Sequence, residues 1–305
     1  MRRPHDFRFR NAGIPAYIRK QEKIMITDPM YEINGGKLTA FKGASGWNKT
    51  ETAVIPEGVT EICACAFCDC KDLVRVVIPE SVTAIGDMAF CECTSLQHIN
   101  IPDSVRTIGA GAFGNCCALE DLMIPDGVLV IHQSTFSGCL SLESIRIPES
   151  VIYIGQGAFR SCERLINVTL PAGIPEICDE TFKECLSLLR INIPDSVTSI
   201  GRDAFRNCEH LNHVCIPEHV EEIGKDAFYS CLWLDHLEIL GLETRMEECG
   251  AGYGTFLDYN LYDGYFENSG KVSDDFTIYC KRRSLAEKYA KQHRFKVSII
   301  KKGRK

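Results

Sequence analysis

The chain has 305 residues, of which 45% are hydrophobic, 25% charged and 9% aromatic, enough apolar material for a core and against disorder as the main state. Near-average Gly (24) and Pro (12) exclude collagen-like and low-complexity classes, and no stretch approaches the about 18 consecutive apolar residues of a membrane span. The formal net charge of −7 argues against nucleic acid as the main partner.

Residues 1–24 are basic and lack an apolar run, so they do not read as a signal peptide. Met25 is an alternative start, and 1–29 is expected to be an extension, with disorder one reading of it. Residues 30–55 predict a capping hairpin, two alternating strands around Asn34-Gly35-Gly36.

Length alone would suggest two domains at about 150 residues each, but residues 56–240 are eight copies of one unit. Pro56, Pro79, Pro102, Pro125, Pro148, Pro171, Pro194 and Pro217 are each 23 residues apart. An isoleucine follows six residues after every one of them (Ile62 to Ile223), a phenylalanine eleven after (Phe67 to Phe228) and a leucine seventeen after (Leu73 to Leu234). Within a unit, Leu73, Val76 and Ile78 have L-x-x-L-x-L spacing. The period of two predicts a strand over 74–78, with Val76 and Ile78 inward and Arg75 and Val77 outward. Pro79 then stops the strand. The glycine after Ile85, repeated at Gly109, Gly155, Gly201 and Gly224, suits a bend with φ > 0. G-D-M-A-F-C-E-C (86–93) predicts one or two helical turns with Phe90 and Cys93 on one face.

A single unit is too small to bury its apolar side, so the units must stack, with like residues in ladders. The pattern I-P-E-S-V-T-A-I-G-D-M-A-F-C-E-C resembles the BspA-type leucine-rich repeat. That resemblance implies an α/β solenoid: a curved parallel sheet on the concave side and short helical turns on the convex side. It departs where Cys63, His132 and Cys178 replace the Gly, Thr135 and Thr181 the Ala, and Ile174 the Val; local packing is expected to change there. Ser or Gly (Ser81, Ser104, Gly127) stands where the commonest leucine-rich repeats carry Asn.

Residues 241–305 predict a degenerate coil and a closing cap. Residues 241–274 are rich in Tyr, Phe and Gly (Tyr253, Phe256, Tyr259, Tyr262, Tyr265, Phe266), and read as an irregular ninth coil or a loop with aromatic anchors. Residues 275–299 read as strand, helix capped by Ser284, and strand, and K-K-G-R-K as a solvated tail.

Eight of the 17 cysteines fall in one column: Cys70, Cys93, Cys116, Cys139, Cys162, Cys185, Cys208 and Cys231. They read as reduced, buried space-fillers, and the odd total suits a reducing compartment. Cys68-x-Cys70 and Cys91-x-Cys93 imitate zinc ligands, but their alternate members should point to opposite faces. His213-x-Cys215 and His236-x-Glu238 place four zinc-competent side chains on adjacent strands; the plain alternative is a mixed polar patch, and no metal or cofactor is assigned.

The outward strand positions form two columns that vary freely in type. The candidate binding residues are Arg75, His98, Asn100, Asp121, Met123, Ser144, Arg146, Asn167, Thr169, Arg190, Asn192, His213 and His236. Such a platform suits an extended protein or peptide ligand. No G-x-S-x-G or H-E-x-x-H occurs, so no enzyme is expected. The expectation is a monomeric, cytoplasmic interaction scaffold. Two alternatives stay open: a secreted or surface adhesin, which the resemblance implies for many relatives, and a zinc-binding interaction module.

Overall fold

A computed structural model describes residues 30–43, 51–246 and 276–300. The 1–29 extension, Met25, the aromatics of 253–266 and the K-K-G-R-K tail lie outside the described residues. The chain winds as a parallel-strand solenoid of about ten turns. Each unit contributes a three- or four-residue strand before its proline, as in Arg75–Val77 and Ser144–Arg146, and a two-residue strand after it, as in Ala84–Ile85. The proline does more than stop the first strand. Its carbonyl accepts from the valine amide three residues on (Val82 to Pro79, 3.1 Å; Val105 to Pro102, 3.0 Å), a β-turn that swings the chain into the second strand.

Strands pair in parallel with no offset, each residue opposite its counterpart 23 positions on, such as Ile145 with Val168 and Ile191 with Val214. The alternation is as the sequence predicts: Val76, Ile145 and Val168 are buried, and their neighbours Arg75, Ser144 and Asn167 are exposed. Phe67 to Phe228 are fully buried, stacked at centroid spacings of 4.9 to 5.6 Å. The N-terminal hairpin, Tyr31–Asn34 with Lys37–Phe41, continues this stack through Phe41, 4.8 Å from Phe67. At the other end Thr277–Cys280 and Lys296–Ile299 extend the strand face, and Ser284 Oγ caps the helix Leu285–Gln292 by accepting from Glu287 N.

Two sequence expectations are corrected. The α/β class with convex helical turns does not hold: Leu285–Gln292 is the α-helix among the described residues, and the segments around each Phe are turns. Residues nine and thirteen after every proline adopt left-handed φ, as at Met88 (52°) and Glu92 (62°) or Gly157 (58°) and Ser161 (57°). Two left-handed residues four apart break a right-handed helix. Amides of this segment reach the next coil instead (Met88 to Ala110 O, 2.8 Å; Phe90 to Ala112 O, 2.8 Å), so the side of the Phe turns is a third ladder.

The repeated glycine has a different reason from the one expected. Gly86, Gly109, Gly155, Gly201 and Gly224 are not among the positive-φ residues. A Cβ on Gly201 would sit 2.5 Å from Asp179 N, and one on Gly86 2.5 Å from Ala64 N; the glycine lets consecutive coils approach. At two of its three replacements the ladder breaks, while at Cys63 it holds, with Glu61–Ile62 paired on both sides. Val130–Ile131, before His132, does not pair with Thr107–Ile108, and Glu176–Ile177, before Cys178, does not pair with Tyr153–Ile154. Thr135 and Thr181 fold their buried hydroxyls back onto the carbonyls of His132 and Cys178, at 2.9 and 2.8 Å.

Candidate functional site: the outward strand face

Because the strand period is two and the register is unshifted, every outward side chain stands beside its counterpart in the neighbouring coils. Arg75, Asn100, Asp121, Met123, Ser144, Arg146, Asn167, Thr169, Arg190, Asn192 and His213 are exposed, and His98 and His236 are half-buried. The structure thus brings the predicted residues onto one face. That face is interrupted once: Thr52–Val54, Arg75–Val77 and His98–Asn100 form one sheet, and the eight strands from Asp121–Met123 to Lys296–Ile299 another.

Not all of these groups are equally available to a ligand. The Asn100 amide is engaged with backbone, accepting from Ile78 N and donating to Ile78 O, both at 3.0 Å. Arg146 pairs with Asp126 at 3.1 Å, both well exposed, an ion pair that contributes little and yields readily to a ligand. Met123 is 57% exposed, a large apolar side chain in the middle of a polar face. Two shallow hollows, one beside Glu218, Glu221 and Arg245 and one beside Arg282, Glu287 and Lys291, are lined by none of the predicted residues.

The C-terminal end of the face is chemically distinct. His213 stands opposite His236 and Cys215 opposite Glu238. The His213 and His236 rings lie 4.3 Å apart, and Tyr279 stacks on His236 at 3.8 Å. Burial, reinforced by His213, pushes the His236 pKa below its ordinary value. Burial and the neighbouring Glu238 push the Cys215 thiol up to about 11. Tyr279 escaped the sequence reading because its strand follows residues 241–274, where the 23-residue step is lost; its only signal was the β-prone run 275–280.

The thiol column is structural. Cys93 Sγ donates to Phe67 O at 3.1 Å, and the same bond recurs from Cys116 to Phe90, Cys139 to Phe113, Cys162 to Phe136, Cys185 to Phe159, Cys208 to Phe182 and Cys231 to Phe205. Each Phe carbonyl also accepts from the Cys amide three residues on, so the thiol satisfies a second lone pair in the core. As expected, Cys68 and Cys91 point away from the buried Cys70 and Cys93.

The chain matches the BspA type leucine rich repeat region, in six copies, over residues 40–151 and 129–249. It is similar to a crystal structure of a T. pallidum leucine-rich repeat protein, at 37% identity and a TM-score of 0.55, covering 59% of this chain and 86% of that one. A leucine-rich repeat protein from Eubacterium ventriosum aligns at 21% identity and a TM-score of 0.47, covering 72% of this chain and 69% of that one. One from Bacteroides ovatus aligns at 22% and 0.34, covering 89% and 98%. No curated protein matches the chain. With its 23-residue step, its ladders and the family match over residues 40–151 and 129–249, the chain belongs to the BspA-type leucine-rich-repeat family.

Proposed function

We propose that the chain is a non-catalytic interaction module that binds a protein or peptide partner across the outward strand face. Leucine-rich-repeat domains generally bind protein ligands. The observation that carries the reading is the contrast between columns: the inward positions are uniformly aliphatic, and the outward ones mix Arg, Asp, Ser, Asn, Thr, Met and His on a rigid ladder. Many modest contacts on a fixed spacing suit an extended ligand, and Met123, Arg146 and Arg190 sit where anchoring contacts concentrate. The thiol–carbonyl bonds need reduced cysteines, which favours a cytoplasmic scaffold, acting as a monomer, over an exported adhesin.

Partner capture from a lysate with wild type and an Arg146→Glu, Arg190→Glu variant tests the binding face. Both residues are exposed, so thermal stability should be unchanged while partner recovery falls at least about tenfold, the equivalent of about 1.4 kcal/mol. Equal recovery of every partner by the variant rejects the central patch. Cell fractionation separates the two locations; recovery at the cell surface favours the adhesin.

A further inference from the structure

Going beyond protein binding, we infer that the C-terminal end of the strand face is a site for a divalent transition-metal ion of the zinc type, held by His213, His236 and Glu238 with Cys215 as the fourth ligand. Ligand atoms of His213, His236 and Glu238 all lie within 4.8 Å of one another, the one such grouping among the described residues. Tetrahedral zinc with bonds of about 2.0–2.3 Å needs ligand atoms about 3.3–3.7 Å apart, a closure that rotation of half-exposed side chains supplies without backbone movement. Cys215 is the register partner of Glu238 and feels its carboxylate, so the thiol stands on the same patch, next to the grouping of His213, His236 and Glu238.

Three further features favour a cation there. The backbone ladder from Asn192 opposite Cys215 through Glu238 opposite Tyr279 holds the two ligand strands in fixed register. Tyr279, stacked on His236 at 3.8 Å, packs against one face of that imidazole and leaves the nitrogens at its edge uncovered by the stack. Asp195 acts electrostatically on Cys215, and Asp235 on His236, adding negative charge around the cluster. Two imidazoles, a carboxylate and a thiol select a borderline metal such as zinc over calcium or magnesium, which take oxygen ligands.

The test is a titration of the reduced full chain with zinc against a chromophoric chelator, using wild type, His213→Asn with His236→Asn, Cys215→Ser, and a Cys68→Ser, Cys91→Ser control. The control matters because Cys68 and Cys91 are accessible neighbouring thiols away from this site. Expected are one zinc per chain, a loss of more than about 100-fold in affinity in the double-histidine variant, a smaller loss for Cys215→Ser and none for the control. Glu238→Gln, at an outward position, gives the same reading should the histidine variant unfold. Failure of wild type to compete with the chelator overturns the site, as does zinc bound equally well by the histidine and Glu238 variants. Neither result bears on the Arg146 and Arg190 test, so this proposal and the binding face fail separately.

Discussion

Cys139 and its column partners decide how the core answers to pH. Burial pushes the thiols of Cys116, Cys139, Cys162, Cys185, Cys208 and Cys231 well above their ordinary value near 9. The folded chain therefore keeps these protons at a pH where the unfolded chain has lost them. Their stabilisation is complete below about pH 8.5 and is lost as pH rises beyond that, at up to about 1.4 kcal/mol per pH unit for each thiol. Thermal melts from pH 8 to 10.5 should show a steep fall in Tm, and Cys139→Ala, less stable at pH 7, should show a shallower one. An equal slope in the two proteins would mean the column does not govern alkaline unfolding. Residue identity also tolerates strain: Met88 and Cys65 occupy left-handed positions that Gly111 and Gly157 fill in other units, so the inter-coil ladder outweighs a penalty of about 1–2 kcal/mol.

The elements are too short to stand alone, and ladders make them cohere. Phe159 stacks on Phe136 at 5.5 Å and on Phe182 at 5.6 Å, whereas Phe228 stacks on Phe205 alone among the described aromatics. Phe159→Ala should destabilise by about 3–5 kcal/mol, because neighbouring coils held on both sides by the strand ladder and the ladder of the Phe turns close poorly over the gap; Phe228→Ala should cost less. Denaturant melts of both variants check the order, and equal losses would deny the stack its role. Serine serves the same cohesion. Ser81, Ser104, Ser150 and Ser196 donate to the preceding coil's carbonyl at 2.6 to 2.9 Å, which explains the residue found where other repeats carry Asn.

At the scale of the whole molecule, cohesion is uneven. Between the units of Phe113 and Phe136, strand pairing is interrupted on two sides: His98–Asn100 does not pair with Asp121–Met123, nor Thr107–Ile108 with Val130–Ile131. The ladder of the Phe turns (Gly111 to Gln133 O, 2.9 Å; Phe113 to Thr135 O, 2.9 Å) and the Phe113–Phe136 stack carry this junction. A repeat protein's stability is close to a sum of units and interfaces, so its weakest interface separates first. Hydrogen exchange should find the amides of Asp121–Met123 less protected than those of Ser144–Arg146, and equal protection would count against a seam. The break was foreshadowed by His132, one of three positions where the sequence departs from glycine, although the coil of Cys63 departs likewise and stays paired, so the sequence did not say which departure would open a ladder.

The 23-residue step, the inward and outward strand columns and the buried Phe and Cys columns were legible in the sequence because each follows from a strict period repeated eight times. So were the hairpin turn at Gly35 and Gly36, both with positive φ, and the Ser284 cap. The turns around each Phe were not, since buried residues at i, i+3 fit both a helical turn and an inter-coil turn, and only the neighbouring coil's carbonyls choose between them. The same holds for the use of Asn100 on backbone and the placing of Tyr279 on His236. Periodicity fixes which way a side chain points. What it meets there depends on the distance between coils, and only the stacked chain sets that distance.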